Sequence, residues 1–375
     1  MRKIVIALTV VTLITSSARA IIMRHDREPA RYAALGARYP AVGMLNDQVT
    51  CTLIAPRWAL SAAHTIEDYL NPVKAPFVTF AGRRYFIDKA IIHPNRVRGA
   101  VDSSADLVLL RLREPVEGIA PALLYENDDE PDKIATIVGF GETGDGLRGP
   151  NGERGKPFGA MNKVEAVFEN SLIFTFDAPP AGLDLEGIPG PGDSGCPALL
   201  EDHGKLYVLG VASFNSGSKG TASRYGTVDG FARVSTLRKW IVETMAADPP
   251  STVPMFGAYV RTATLPESPA AVAAKALIGA FNSGAVDRIA DFYRTYGRRR
   301  PDDEVRKNAA SWQPLIDQYG VYEIRGYKTA GPDTIAVLVR AAKSGISRAV
   351  VVELENNGEH RVKSLVMADV DEPKD

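Results

Sequence analysis

The sequence predicts an all-β region of barrel or sandwich type, closed by one helix and followed by a smaller α+β region. Three observations carry that prediction. From Pro40 to about Arg233, short apolar stretches are broken by glycine, proline and asparagine, the pattern of many strands joined by turns. From Val234 to Ala246 the period changes, and Val234, Leu237, Trp240, Ile241 and Met245 fall on one helical face. Beyond Pro254, two helical periodicities come first and four strand-like runs follow. A chain of 375 residues has room for two or three domains with their own cores. Its 45% apolar and 24% charged residues exclude wholesale disorder. Forty-four basic against forty-five acidic residues leave no field to attract a polyanion, so no nucleic-acid partner is expected.

Taken in order, residues 1–20 read as a secretory signal peptide. Arg2 and Lys3 give the positive start, Ile4 to Ile14 an apolar stretch too short to span a bilayer, and Ala18-Arg19-Ala20 a small-x-small cleavage site. Its removal takes three cations and no acid, leaving a net charge of −4. No later segment is apolar for eighteen residues, so the product is expected to be secreted or periplasmic, with no membrane attachment after cleavage. Strands are expected at Ala59 to Ala62, Phe77 to Phe80, Leu107 to Leu112, Ile134 to Phe140, Leu172 to Phe176 and Leu206 to Ser213. The β-rich region with its closing helix is bounded at 21–246. Three prolines in the eight residues from Ala247 to Pro254 mark a linker over 247–256. In the last region, 257–371, Ala270 to Asn282 and Ala285 to Tyr296 have helical spacing. Tyr322 to Arg325, Thr334 to Arg340, Arg348 to Glu355 and His360 to Ala368 read as strands of one sheet.

Three segments carry chemistry: Leu60-Ser61-Ala62-Ala63-His64, Asp106-Leu107-Val108-Leu109-Leu110 and Gly192-Asp193-Ser194-Gly195. A serine hydroxyl is a weak nucleophile at neutral pH and needs a neutral imidazole to take its proton. The imidazole in turn needs a carboxylate to fix its tautomer and to stabilise the imidazolium. His64, Asp106 and Ser194 supply these types, in that chain order. Together with Leu53-Ile54-Ala55-Pro56-Arg57-Trp58, Gly139-Phe140-Gly141 and Val211-Ala212-Ser213-Phe214, the set resembles the chymotrypsin-like (trypsin-family) serine peptidases in their bacterial, secreted form, from about Ile21 to Ala246. The resemblance implies a double β-barrel with a C-terminal helix and an endopeptidase acting on polypeptides through an acyl-enzyme on Ser194. It also implies Gly192 and Ser194 amides as oxyanion donors and Ser213 as support for Asp106. No cofactor or metal is implied.

Other positions follow from the same resemblance. Ile188 stands where tryptic members carry the aspartate that anchors a basic side chain, while Asp229 and Asn215 are expected at the opposite pocket wall, where Asp229 offers an alternate carboxylate. Signal cleavage after Ala20 would expose Ile21, whose ammonium is expected to pair with Asp193 and order the oxyanion hole. Cys51 and Cys196 fall where the family usually has glycine, in segments that both flank the active site, and are expected to form a disulfide in an oxidising compartment. The last region, by its helices-then-sheet pattern and the Ala280-Phe281-Asn282-Ser283-Gly284 turn, resembles nuclear-transport-factor-like or cystatin-like α+β modules. An interaction or substrate-positioning role for a protein or ligand partner is expected there. Two alternatives stand beside the peptidase: a catalytically silent binding protein with the same fold, and a protein whose main role lies in that last region.

Two matches are set aside. Gly139 to Gly144 fits GxGxxG but is followed by glycine- and proline-rich sequence rather than a helix. Arg298-Arg299-Arg300 is neutralised at once by Asp302, Asp303 and Glu304, as in a solvated loop. His25, His93, His203 and His360 lack partners of the triad kind and are expected at the surface.

Overall fold

The computed structural model describes residues 20–69, 76–97, 105–217, 223–249, 251–253, 259–355 and 357–370. Of the expected signal peptide, residues 1–19 lie outside them. After β1 (Ile22–Met23) and α1 (Pro29–Gly36), the chain forms β2 (Val42–Leu45), β3 (Val49–Ala55), β4 (Trp58–Ser61), the short helix α2 (Ala63–Tyr69), β5 (Phe77–Phe80), β6 (Arg83–Ile92) and β7 (Val108–Leu112). These six strands from β2 onward close into a barrel in the order β2-β3-β4-β7-β6-β5, which removes exposed edges. Leu45, Cys51, Leu53, Phe80, Ile87 and Leu110 fill its interior.

The next stretch contains β8 (Leu123–Leu124), β9 (Ile134–Gly139), β10 (Glu142–Asp145), β11 (Gly149–Arg154), β12 (Phe158–Lys163), β13 (Ala166–Phe168), β14 (Ser171–Thr175), β15 (Gly187–Ile188), β16 (Pro197–Asp202), β17 (Lys205–Asn215), β18 (Val228–Arg233) and α3 (Val234–Ala247). Its main sheet runs β12-β9-β16-β17-β18-β14-β13, with β8 added to β17, and forms a half-barrel around Phe158, Leu172, Phe174, Cys196 and Phe231. A second sheet, β11-β10-β1-β15, stitches the start of the chain into this half. Val234, Leu237 and Ile241 of α3 share a core with Leu60, Leu107 and Leu109 of the first barrel and Val138 and Val211 of the second half. The result is mostly β, consistent with a chymotrypsin-like double barrel. In this region the six strands expected from sequence lie within two residues of those formed, whereas the strand expected at Tyr322 to Arg325 in the last region runs on to Thr329.

Part of the expected linker is docked rather than free. Asp248 accepts from Lys89 Nζ at 2.9 Å, the Thr252 amide donates to Ala90 O at 2.9 Å, and Ala90 N donates to Ser251 Oγ at 3.0 Å.

The last region forms α4 (Pro269–Asn282), α5 (Val286–Tyr296), α6 (Asp302–Ala310), α7 (Gln313–Tyr319) and the antiparallel sheet β19 (Tyr322–Thr329), β20 (Thr334–Ala341), β21 (Ser347–Leu354) and β22 (Val362–Asp369). Ser268 caps α4 by accepting from Ala271 N. In the turn singled out from sequence, Asn282 bonds both the N–H and the C=O of Tyr322, while Phe281 stacks on the Tyr322 ring at 4.6 Å. Helices α6 and α7 are absent from the sequence reading. The acids after Arg300 open α6, where carboxylates favour the positive helix end, and only Val305 and Ala309 of α6 are buried, too few to give a periodic signal.

The expected disulfide is not formed: Cys51 and Cys196 are free, buried thiols. Ser194 O accepts from Thr50 N at 3.0 Å, so the two segments do meet. However, Cys51 points into the interior of the first barrel and Cys196 into that of the second half. Burial pushes both thiols well above their ordinary range. Alkylation under non-reducing conditions should therefore be negligible in the folded protein and reach both cysteines after unfolding in denaturant. Peptide mass spectrometry that finds them joined would overturn this.

Candidate active site

Strand register brings the first two residues of the expected triad together. Ser61 on β4 pairs with Val108 on β7, so His64, three residues beyond Ser61, and Asp106, two before Val108, emerge at the same end of the barrel. His64 Nδ1 lies 2.7 Å from Asp106 Oδ2, and the His64 backbone N–H donates to Asp106 Oδ1 at 3.0 Å. On β17 the register slips between Ala212 and Phe214. That irregularity re-aims Ser213, whose hydroxyl donates to Asp106 Oδ2 at 2.7 Å. Asp106 is 1% exposed. Burial alone would raise its carboxyl, but the bonds from the His64 ring, Ser213 and the His64 amide outweigh it and hold the group below the usual carboxylate range.

Ser194 lies in the loop between β15 and β16, tied to β3 through Thr50. It lines a cavity of about 190 Å³ with Gly190, Pro191, Ser213, Phe214, Asn215, Ser223 and Asp229. No hydrogen bond joins Ser194 Oγ to the His64 ring in this structure; such contacts often tighten only with substrate bound. Gly192 has φ of 87°, a conformation that a side chain would strain. Its amide and that of Ser194 carry no internal hydrogen bond among the described residues, leaving both free to receive an anion. Asp193 turns the other way and is fully buried, accepting from Gly141 N at 2.6 Å, Gly190 N at 2.9 Å and Ile21 N at 3.3 Å. Burial raises its carboxyl to about 6.

At the cavity base Asn215 donates to Asp229, across the β17–β18 pair. Burial raises the Asp229 carboxyl strongly, the Asn215 bond opposes this, and the nearby Asp193 adds to it. Gly230 is required beside it, because a Cβ there would overlap the Phe214 ring. Ile188 does not join these residues around the cavity. It is fully buried on β15 opposite Ile22, packed with Phe176.

Sequence reasoning missed two residues here. His93, expected at the surface, is 7% exposed and packs on Trp240 at 4.6 Å between ring centres. Arg96 places Nε 3.5 Å from Asp106 Oδ1. Neither belongs to a motif; both are placed by the loop after β6. Gly139–Gly144 runs from β9 into β10 with no helix after it. Among the described residues, no group of three or more His, Cys, Asp or Glu side chains is arranged to hold a metal ion, and no helix is long and apolar enough to cross a membrane.

A closed barrel and a half-barrel, with a carboxylate-bonded histidine at their junction and a serine in the adjoining cavity, support assignment of the fold to the chymotrypsin-like class. The chain is 25% identical over 255 residues to Transmembrane protease serine 9 of Rattus norvegicus, a match covering 62% of this chain and 23% of that protein. It is 28% identical over 229 residues to Chymotrypsin-like elastase family member 1 of Felis catus, covering 53% of this chain and 80% of that one. The chain thus spans under a quarter of the length of the first of these relatives. No family model matches it.

Proposed function

We propose that this chain is an exported serine endopeptidase, with 21–246 as its catalytic domain and 257–371 as an accessory domain that binds a partner or positions substrate. The observation that carries the reading is the doubly bonded Asp106–His64 pair beside a cavity that Ser194 lines. In this reading His64 takes the Ser194 proton as Oγ attacks the scissile carbonyl, and Asp106 stabilises the imidazolium. The Gly192 and Ser194 amides hold the oxyanion, each worth about 3 kcal/mol or more in the transition state. His64 then gives that proton to the departing amine as the C–N bond breaks, and water activated by His64 releases the acyl group from Ser194. The test is labelling by a peptidyl organophosphonate: the adduct should appear on the Ser194 peptide and abolish hydrolysis, and an unlabelled, folded protein would favour a silent binding role.

For specificity we propose a basic side chain at the scissile bond. Asp229 is a buried carboxyl at the base of the cavity with one amide partner, and an arginine or lysine reaching it would supply the missing cation. Asp229→Ala should lower kcat/KM for arginyl substrates by about a hundredfold or more while sparing phenylalanyl and alanyl ones. Because burial raises this carboxyl, KM for arginyl substrates should fall as pH rises and the group ionises. Equal effects on all three substrate classes would exclude the assignment.

A further inference from the structure

We propose that Arg96 is a positioning residue for the triad: a buried guanidinium that shares the Asp106 carboxylate with His64 and so divides the charge that the carboxylate presents to the ring. The inference rests on the peptidase reading and deepens it. Arg96 Nε sits 3.5 Å from Asp106 Oδ1, with the two side chains 7% and 2% exposed. Arginine is rarely so buried unless a charge partner holds it. The contact is an ion pair rather than a hydrogen bond, and three hydrogen bonds from other groups reach the same carboxylate. Oδ1 accepts from the His64 backbone, and Oδ2 faces both His64 Nδ1 and Ser213 Oγ.

The loop that carries Arg96 is well fixed. His93 N donates to Leu107 O at 3.0 Å, next to Asp106, and Arg96 N donates to His93 O at 3.0 Å. The His93 ring is held by Trp240, and its Nδ1 accepts from Asn95 N at 3.1 Å. The consequence is electrostatic. A carboxylate facing an imidazole alone puts its whole charge into stabilising the protonated ring, whereas one already shared with a guanidinium stabilises it less. With both groups out of water the difference is weakly screened.

Among the described residues, the groups that face this carboxylate come from three segments: His64 from α2, Arg96 with His93 behind it from the loop after β6, and Ser213 from β17. The other buried carboxyls among the described residues are Glu130, Glu186, Asp193 and Asp229. Arg98 and Asp102, in the adjoining segment, lie outside the described residues.

The test compares Arg96→Gln, Arg96→Lys and wild type, all as the full exported chain. The acid limb of kcat/KM against pH should move up by about half a unit to one unit in Arg96→Gln and stay in place in Arg96→Lys. If Arg96→Gln does not fold, Arg96→Met keeps an apolar stem in the same slot and should show the same displacement. A second readout, NMR titration of the His64 ring in the Ser194→Ala background with and without Arg96→Gln, requires no turnover and should show the same shift. An unmoved limb and ring, or an equal shift in Arg96→Lys, would overturn the proposal. A wild-type protein that resists organophosphonate labelling would instead count against the peptidase reading and leave the NMR comparison to decide on Arg96.

Discussion

Ser194→Ala is expected to cut kcat by about six orders of magnitude, leaving only the residual acceleration from binding and from the backbone amides at positions 192 and 194. His64→Ala should cost about as much, and the double variant no more than either, because nucleophile and base act as one unit. Asp106→Asn should cost about four orders of magnitude for a different reason. Asp106 Oδ2 accepts from both His64 Nδ1 and Ser213 Oγ, each at 2.7 Å. An amide nitrogen at that position would face two donors, and its relief is the other imidazole tautomer, in which Nδ1 accepts from the amide and a protonated Nε2 cannot take the Ser194 proton. Steady-state kinetics on one arginyl peptide, with circular dichroism to confirm folding, checks all four variants. Retained turnover in Ser194→Ala would mean that another group performs the attack. Additive losses in the double variant would mean that Ser194 and His64 act in separate steps.

The triad segments were legible because each joins a nucleophile, base or acid to local sequence that fixes its backbone. Trp58 to Ser61 forms a strand that ends just before His64, an apolar strand follows Asp106, and glycines flank Asp193-Ser194. The strand runs were legible for the same local reason. What the sequence hid are contacts made by loops and by side-chain direction. Arg96 and His93 sit in a connection with no apolar period. The resemblance sets Ile188 at the pocket, but β15 turns that side chain toward Ile22 and Phe176. The cysteines were paired by the nearness of their segments, and the direction of each side chain, into separate cores, decides otherwise. Helix α6 was hidden because the acids that mark its start also explain away the preceding arginines.

A chain that keeps Ala20 ahead of Ile21 is expected to fold but to turn over at least about a hundredfold more slowly than one that begins at Ile21, as for loss of an oxyanion donor. With Ala20 attached, Ile21 N is a neutral amide 3.3 Å from Asp193 Oδ2, and Ile21 is held at φ of 68°, a strained conformation for a β-branched residue. Cleavage relieves that strain, because a terminal residue has no preceding carbonyl to clash, and it converts the amide into an ammonium facing a buried carboxylate. Ala20 and Ile21 are both fully buried, so the bond between them is reachable only before folding, as export cleavage would be. The two forms should also differ in pH dependence. In the extended chain Asp193 is raised to about 6 by burial, above its unfolded value of about 3.9. The stability this contributes is present in full below about pH 4 and lost as pH rises through about 6, a change on the order of 3 kcal/mol. In the chain that begins at Ile21 the ammonium favours the carboxylate, so that loss should vanish. A decline should appear instead only where the α-amino group, raised by its partner above about 8, gives up its proton. Urea unfolding of both forms from acid to mildly alkaline pH, beside kcat on one arginyl substrate, checks the pair of expectations. Equal turnover with parallel stability profiles would remove Ile21 from the mechanism.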